Sequence, residues 1–551
     1  MMHKPVSAVL AAIALLLSCH TPETSRTTAS PFTREALAAR VAILASDSFQ
    51  GRKPFSVGEE RTTAYLQKEF ASLGLEPGNG KSYFQDVPMA EIFKTPDPLM
   101  RVDAGKTHFD LQSGKDYVLS TQSTDSLASL DRDELIFVGY GVVAPEYHWN
   151  DYANINVKGK VVLVMVNDPG FGTDDTTLFK GKAMTYYGRW TYKFEEAARQ
   201  GAKGCLIIHN TAAASYPFSV VQSSWESASL YLDERSNPVY HCPLEGWVSG
   251  EAARRLLAAA GKDSSLLMSA NTRGFKAVAL GEKLTTKMHI STTYKDSKNV
   301  IARITGTKHP DEYIIYTAHW DHFGIGQPDK RGDSIYNGAV DNASGTAALL
   351  EIAAAFQRAK IKPERTILFL SVTAEEQGLL GSEYYATHPL YPLNKTVADL
   401  NMDMVSPNEK TNDIVIAGSG QNDLEDYIDS AARQAGLYLA PDDHPEAGFY
   451  FRSDHFSFAK RGVPAVSTAN GIDIVGQGKA YGRKLYDDYE MNHYHKPADE
   501  YDSSWTFGGG LQVMDILYRV GQKLASGDEW PGWKAGSEFK SIRDRQRGSE
   551  Q

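Results

Sequence analysis

The second half of this chain alternates short apolar strands with amphipathic helices. From about residue 285 the pattern predicts, in order, a strand at 313–318, a helix at 346–360, strands at 366–373, 397–402 and 463–467, and a helix at 511–524. Strands that are apolar throughout are typical of a parallel sheet buried on both faces. The sequence therefore predicts an α/β fold, a three-layer α/β/α domain around a mostly parallel central sheet.

Acids and histidines stand at the ends of these predicted strands. His319 directly follows the first strand, Glu375 and Glu376 follow the second, and Asp403 closes the third. Asp341 stands just before a helix, where the positive end of the helix dipole suits a carboxylate. Because ligands bind outside the carboxyl ends of strands in open α/β sheets, we expect these side chains to converge on one edge.

Two imidazoles and three carboxylates make up the candidate metal ligands: His319, Asp341, Glu376, Asp403 and His495. Such ligands suit Zn²⁺, with Mn²⁺ or Co²⁺ as substitutes. Five ligands exceed one four-coordinate site but serve two metal ions if one carboxylate bridges them. Glu375 would then be free to take a proton from the attacking water, and Asp321 would hold the second nitrogen of His319.

Each of these residues also has an ordinary explanation when taken alone. A single His-x-Asp is usually a surface pair, a Glu-Glu pair after a strand is usually a helix start, and Asp341-Asn342 suits a turn or a cap. The joint placement at strand ends favours a metal centre over these structural roles. We find no His-Glu-x-x-His, Gly-x-Ser-x-Gly or phosphate-binding loop that would support another enzyme class.

The size and charge of the chain limit its architecture and its partners. At 551 residues and 60.6 kDa it is too long for one compact core, so two or more domains are expected. The formal net charge of -11, without a long basic run, argues against nucleic acid as a partner. The oligomeric state is left open by the sequence.

The N-terminus is typical of an exported protein. The apolar run at residues 6–17 is too short to span a bilayer and fits a signal peptide over residues 1–18. The run leads into Cys19, in a context that resembles a bacterial lipobox, so Cys19 is predicted to be lipidated; a plain signal peptide with an incidental Cys19 is the alternative. Residues 19–31 would form a flexible tether. The sequence thus predicts an exported lipoprotein of the bacterial periplasm or outer membrane, held to a membrane by its N-terminal lipid, or alternatively a secreted protein.

The contexts of the candidate ligands resemble those of a known enzyme family. They are His319-Trp-Asp321, Gly-Ala-Val-Asp341-Asn-Ala-Ser-Gly, Glu375-Glu376, Asn-Met-Asp403-Met and Tyr-His495-Lys-Pro-Ala-Asp499, with Leu44-Ala-Ser-Asp-Ser-Phe-Gln-Gly-Arg52 near the start. Together they resemble the zinc aminopeptidases of the bacterial leucyl-aminopeptidase and aminopeptidase-Y type, relatives of glutamate carboxypeptidase and the transferrin receptor. The motifs occur in order over roughly residues 285–525.

The resemblance implies two Zn²⁺ ions per chain and a role for each ligand. Asp341 would bridge the ions, His319 and Asp403 would complete one site, and Glu376 and His495 would complete the other. Glu375 would be the general base.

Two further side chains receive roles from the resemblance. Tyr450 would hydrogen-bond the tetrahedral oxyanion, with Tyr489, Tyr494 or a histidine as alternatives. His455, in the Ser-Asp-His-Phe segment, is predicted to begin a structural helix under the site rather than to act as a sixth ligand.

The resemblance also divides the chain into domains. Residues 32–125 would be the N-terminal part of the peptidase domain, 126–283 an inserted α+β protease-associated domain, 284–530 the main catalytic domain and 531–551 a polar tail. Cys205 and Cys242 fall in the inserted segment, where a disulfide and two buried thiols are both open. The polar stretch 323–337 is either a lid or a longer connection.

An aminopeptidase acting on peptides is the leading functional hypothesis. The second is a carboxypeptidase or dipeptidase, which needs a fixed cation for the substrate carboxylate; Arg452 is the candidate, and a surface arginine is the alternative. A receptor-like binding protein and a one-zinc glutaminyl-cyclase-type acyltransferase are less favoured, because all five ligands and Glu375 are present.

Overall fold

The structure is a computed structural model, and it describes residue 1 and residues 30–173, 175–225, 228–235 and 241–548. Cys19 and the predicted signal peptide lie outside the described residues. The helices are Arg34–Leu44, Val57–Ser72, Trp190–Arg199, Thr211–Ala214, Phe218–Trp225, Gly250–Ala259, Ser264–Ser269, Gly345–Arg358, Leu380–Thr387, Leu424–Gln434, His455–Ala459, Lys479–Asn492, Gly508–Ala525 and Lys540–Gly548. Across the part of the chain that is described, no helix is both long enough and apolar enough to cross a bilayer.

The strands account for most of the remaining regular structure. They are Glu76–Pro77, Phe84–Pro96, Leu99–Ala104, Thr107–Gln112, Tyr117–Ser120, Leu127–Phe137, Val143–Ala144, Trp149–Asn150, Val161–Met165, Phe179–Lys182, Gly204–Ile208, Ser229–Leu232, Leu244–Val248, Val278–Ile304, His309–His319, Gly324–Ile325, Ile335–Tyr336, Arg365–Val372, Thr396–Asn401, Asp413–Ile416, Tyr438–Ala440 and Ala465–Asn470.

Four parallel strands form the centre of the main sheet. In spatial order they are Arg365–Val372, His309–His319, Thr396–Asn401 and Ala465–Asn470. Strand Val278–Ile304 pairs antiparallel with the first of them, and strand Asp413–Ile416 pairs antiparallel with the last. The predicted α/β fold with a mostly parallel central sheet is confirmed.

Helices cover both faces of this sheet. Along strand His309–His319, Ile314 packs in a hydrophobic core with residues of helix Gly345–Arg358. The next residue, Ile315, lies in a second core together with residues of helix Leu380–Thr387. Because successive side chains of a strand point to opposite faces, the two cores lie on opposite sides of the sheet, which gives the three predicted layers.

A β-rich region precedes the central sheet in the chain. Strand Gly204–Ile208 lies between two parallel neighbours, Val161–Met165 and Leu244–Val248. The long strand Val278–Ile304 pairs with Leu127–Phe137 along its first part and with Arg365–Val372 at its last residues. One strand therefore runs from the β-rich region into the central sheet.

Residues Phe32–Gln551 form one compact unit, which is not divided at residue 126 or 283. The domain boundaries at these two positions therefore stay predictions. Within the predicted inserted segment, Cys205 and Cys242 are both buried free thiols. Strand Leu127–Phe137 ends shortly before two glycines. Gly139 and Gly141 follow it at φ 61° and 64°, a left-handed conformation that turns the chain out of the strand.

Candidate metal centre

The parallel strands bring the predicted ligands to one edge of the sheet. His319 is the last residue of its strand, and Asp403 and Glu376 lie shortly beyond the ends of two neighbouring strands. Asp341 lies in the turn that leads into helix Gly345–Arg358, and His495 follows helix Lys479–Asn492. Segments that are far apart in the sequence therefore meet at the carboxyl ends of the strands, as expected for an open α/β sheet.

The five side chains form two groups that share Asp341. In the first group, Nε2 of His319 lies 3.2 Å from Oδ1 of Asp403 and 3.3 Å from Oδ1 of Asp341. In the second, Nε2 of His495 lies 3.2 Å from Oδ2 of Asp341 and 3.3 Å from Oε2 of Glu376. The two carboxylate oxygens of Asp341 thus face different histidines.

The donor set fits divalent metal ions. His319, Asp341 and Asp403 each offer one ligand atom, and these atoms lie within 4.8 Å of one another. Burial alone would lower the pKa of His319, but the charges of Glu375 and Asp403 raise it well above its usual range. The buried carboxylates therefore make this edge of the sheet strongly attractive to cations, and the mixture of imidazole and carboxylate suits zinc.

Burial and hydrogen bonds shift the pKa of Asp341, the carboxylate shared by the two groups, in opposite directions. Burial alone would raise the pKa of Asp341, but its contacts with His319 and His495 hold that pKa well below its usual range. Asp341 is therefore ionised and available as a ligand at neutral pH.

His322 belongs to the centre although the sequence analysis did not single it out. Its Nδ1 lies 2.5 Å from Oε1 of Glu376, while Oε2 of Glu376 faces His495. His322, Asp341 and Glu376 also form a group that could hold a metal ion. Burial lowers the pKa of His322 to about 4, so the ring is neutral at neutral pH and can orient Glu376. The signal in the sequence was its position, directly after Asp321 at a strand end.

Asp321 lies in the centre, but its carboxylate does not hold His319 as predicted. Nδ1 of His319 lies 3.2 Å from the backbone oxygen of Asp321 and 3.8 Å from its Oδ1, which is too far for a hydrogen bond. The carboxylate instead accepts the backbone N–H groups of Glu375 and Glu376 at 3.0 and 3.4 Å. The carbonyl of Asp321 therefore orients the histidine, and its carboxylate fixes the Glu-Glu turn.

Asp499 supports the segment that carries Asp341. Its carboxylate accepts the backbone N–H of Val340 at 3.0 Å and that of Asp341 at 3.1 Å. The hydroxyl of Tyr489 also donates to Asp499, at 3.3 Å. Tyr489, one of the predicted alternatives for the oxyanion donor, thus contacts the carboxylate that supports Asp341.

Glu375 lies beside the first group without joining it. Its Oε2 is 3.9 Å from Nε2 of His319, farther than either of the two ligand carboxylates. Burial, together with the charge of Asp403, raises the pKa of Glu375 well above its usual range, although His319 opposes this. A buried carboxylate with a raised pKa, next to a metal site but not in it, is suited to accept a proton.

The structure argues against the predicted role of Tyr450. Its side chain is buried in the hydrophobic core on one face of the sheet, and its hydroxyl donates to the backbone oxygen of Ala465 at 3.2 Å. Tyr494, one of the alternatives, stacks on His495 with ring centroids 3.8 Å apart. Burial and the charge of Asp341 raise the pKa of Tyr494 well above its usual range, so it keeps its proton. Tyr494 replaces Tyr450 as the candidate donor.

Arg452 and His455 lie next to the centre but outside the two ligand groups. Arg452 donates from Nη2 to the backbone oxygen of Ala447 at 2.6 Å and lies over the ring of Phe449. His455 is the first residue of helix His455–Ala459, and its ring packs on Tyr450 with centroids 4.7 Å apart. His455 thus has the structural position that was predicted for it.

The stretch 323–337 folds as a small hairpin beside His495. Strands Gly324–Ile325 and Ile335–Tyr336 pair antiparallel. Phe323, at the base of the hairpin, packs edge-on against His495 at 4.7 Å between ring centroids. The side chain of His495, 36% exposed, is thus held between Phe323 and Tyr494.

Comparisons with known proteins give the same family for this segment. Residues 299–509 match Peptidase family M28. The chain is 27% identical over 270 residues to Leucine aminopeptidase 2 of Arthroderma otae, covering 47% of this chain and 52% of that protein. It is 36% identical over 133 residues to Glutamate carboxypeptidase 2 homolog of Caenorhabditis elegans, covering 23% of this chain and 16% of that protein. The chain thus spans about half or less of the length of these relatives.

A solved aminopeptidase from Aneurinibacillus sp. strain AM-1 is 21% identical with a TM-score of 0.47, covering 90% of this chain and 95% of that one. All five candidate ligands and Glu375 fall within the matched residues 299–509. The match of residues 299–509 to Peptidase family M28 confirms the resemblance to zinc peptidases of this type.

Proposed function

We propose that this protein is an exported metallopeptidase that uses two zinc ions to remove N-terminal residues from peptides. The observation that carries the proposal is the position of Asp341, with one oxygen 3.3 Å from His319 and the other 3.2 Å from His495. A carboxylate whose two oxygens face separate donor groups suits a bridge between two metal ions. The match to Peptidase family M28 supports peptide-bond hydrolysis as the reaction.

Zinc ions bound here would polarise the scissile carbonyl and lower the pKa of the attacking water. Glu375 accepts the proton of that water and returns it to the departing amine, because its carboxylate lies within reach of the centre but outside the ligand groups. Tyr494, protonated and stacked on His495, donates a hydrogen bond to the developing oxyanion. The similarity to Leucine aminopeptidase 2 of Arthroderma otae supports the N-terminus as the end that is cleaved.

A carboxypeptidase or dipeptidase is the second candidate, and two arginines favour it. Burial, and then the positive charge of Arg452, lowers the pKa of Arg189 to about 10. Among the described residues, neither forms an ion pair, and the buried Nε of each has no hydrogen-bond partner. Arg452 directly precedes Ser453, whose hydroxyl donates to Asp403 at 2.7 Å. A substrate carboxylate bound by this pair would lie beside the centre.

Export and anchoring are part of the proposal and rest on the N-terminal sequence. The apolar run at 6–17 and Cys19 support a lipidated protein in the periplasm or outer membrane. Labelling with a lipid precursor, compared between the natural chain and Cys19→Ala, tests the anchor. Equal labelling of both would contradict it.

The activity is tested with one short peptide and two blocked twins, one N-acetylated and one C-terminally amidated. Each is digested by the purified protein with zinc or with chelator, and the products are identified by mass spectrometry. We expect residues to be lost from every free N-terminus, with the acetylated twin intact and the chelator abolishing cleavage. Trimming from the C-terminus, blocked only by the amide, would establish the second candidate. No cleavage by the zinc-loaded protein would overturn the peptidase proposal.

A further inference from the structure

Arg52 lies far from the metal centre in sequence, outside the matched residues 299–509, but contacts its backbone. The side chain is buried, with 1% exposure. Its Nε donates to the backbone oxygen of Trp320 at 2.8 Å, and Nη1 donates to that of Leu44 at 2.9 Å. Nη1 also donates to the backbone oxygen of Asn337 at 2.5 Å, and Nη2 to that of Gly338 at 2.9 Å.

The carbonyl groups that Arg52 contacts belong to two ligand-bearing segments. Trp320 directly follows His319. Asn337 and Gly338 begin the turn that presents Asp341. One planar guanidinium thus joins the backbone beside one ligand to the backbone beside another.

Further contacts join the segment that leads to Asp341 to residues 45–52, which end at Arg52. The side-chain amide of Asn337 donates back to the carbonyl of Ala45 at 2.8 Å. Gly51, at φ 64°, packs so closely that an added Cβ would lie 2.5 Å from the carbonyl oxygen of Tyr336. Residues 45–52 therefore pack against the segment that runs from His319 to Asp341.

The backbone conformation and the buried charge of Arg52 both lower the stability of the folded protein. Arg52 is a non-glycine residue at φ 51°, in the left-handed region that such residues rarely adopt. Burial lowers its pKa to about 10, an effect that the charges of Asp499 and Asp341 partly offset. A strained backbone and a buried cation at one position indicate a functional constraint.

We propose that Arg52 is a positioning residue that sets the spacing between His319 and Asp341, so that both can bind one metal ion. The inference rests on the proposed function and extends the centre to the N-terminal part of the chain. The role depends on the fork of the guanidinium, since a lysine ammonium carries the same charge but cannot reach carbonyls spread over both segments.

The test compares Arg52→Lys and Arg52→Met with matched changes at Arg365. Arg365 is equally buried, and its Nη1 donates to the carbonyls of Leu524 and Glu529 at 2.8 and 2.9 Å. It lies at the first residue of strand Arg365–Val372, at the end of the sheet opposite the metal centre. Zinc affinity of each full-length protein is measured by competition with a chelator, below the melting temperature of every variant.

We expect both Arg52 variants to bind zinc about 10- to 100-fold more weakly, the range for residues that support metal ligands. Arg365→Lys and Arg365→Met should keep the zinc affinity of the natural chain, even if their Tm falls as far as that of the Arg52 variants. Natural affinity in Arg52→Lys would overturn the inference, as would equal losses at the two arginines, which would indicate general destabilisation. If Arg52→Met does not fold, Arg52→Lys decides. A natural chain that binds no zinc would overturn the proposed function itself.

Discussion

Replacing Glu375 with Gln separates the proposed proton acceptor from the metal ligands. Glu375 lies 3.9 Å from Nε2 of His319, whereas the ligand carboxylates approach to 3.2 and 3.3 Å, so the variant should still bind zinc. Gln has the same shape but cannot accept the proton of the attacking water. Since a positioned general base contributes about 10²- to 10⁴-fold, we expect kcat to fall by that factor with KM little changed.

The same substitution should stabilise the metal-free protein at neutral pH. Burial and the charge of Asp403 raise the pKa of Glu375 in the folded state above its unfolded value. Stability from such a group is complete below the unfolded pKa and is lost as the pH rises through the folded pKa. Glu375→Gln removes this loss, so the metal-free variant should melt above the metal-free natural chain at pH 7, but not at pH 4.

The assay combines zinc content, steady-state kinetics on the cleaved peptide and thermal melting. Glu364→Gln is the matched control, because Glu364 directly precedes strand Arg365–Val372, on the side away from the centre, and pairs with Lys308 at 3.3 Å. That variant should keep zinc and kcat. A near-natural kcat in zinc-loaded Glu375→Gln would refute the assignment of the base, and loss of zinc would make Glu375 a ligand instead.

Three further predictions address the bridge, the oxyanion donor and a buried acid. Asp341→Ala should lose zinc from both groups after dialysis, and metal analysis that still finds two ions would contradict the bridge. Tyr494→Phe should lower kcat about 100- to 1,000-fold, because it removes one oxyanion donor, whereas Tyr450→Phe should change mainly Tm. A larger loss of kcat in Tyr450→Phe than in Tyr494→Phe would restore Tyr450 as the donor. Burial raises the pKa of Glu282 to about 8, so its contribution to stability is full below pH 4.5 and is lost as the pH rises to 8. The Tm of Glu282→Gln should therefore rise relative to the Tm of the natural chain between pH 5 and 8. A difference in Tm that stays constant over this range would contradict the prediction.

The sheet and the convergence of the ligand side chains could be predicted because both depend on local patterns. Apolar strands with helices between them pair in parallel, and parallel strands end at the same edge. The positions of His319, Glu376 and Asp403 directly after strands were therefore enough to place them together. Asp341 was placed by the helix that follows it.

The contacts around the ligands depend on side-chain directions, which the sequence pattern does not contain. The ring of Tyr450 packs in the hydrophobic core, whereas that of Tyr494 stacks on His495, although both tyrosines stand near motif residues in the sequence. Asp321 uses its carbonyl for His319 because its carboxylate is taken by two backbone N–H groups. Arg52 contacts the centre across a sequence separation of 268 residues, which no local pattern reveals.

Strand Val278–Ile304, at 27 residues, determines how far the protein can be divided. Its first part completes the sheet with Leu127–Phe137, and its last residues form the neighbour of Arg365–Val372 in the central sheet. Cutting the chain at either end of the β-rich region would leave a sheet edge with unpaired N–H and C=O groups. Such an edge can pair with another chain, so the fragment would be prone to aggregate. A fragment built around residues 299–509 would therefore need this whole strand and the strands that pair with it in order to keep the central sheet intact.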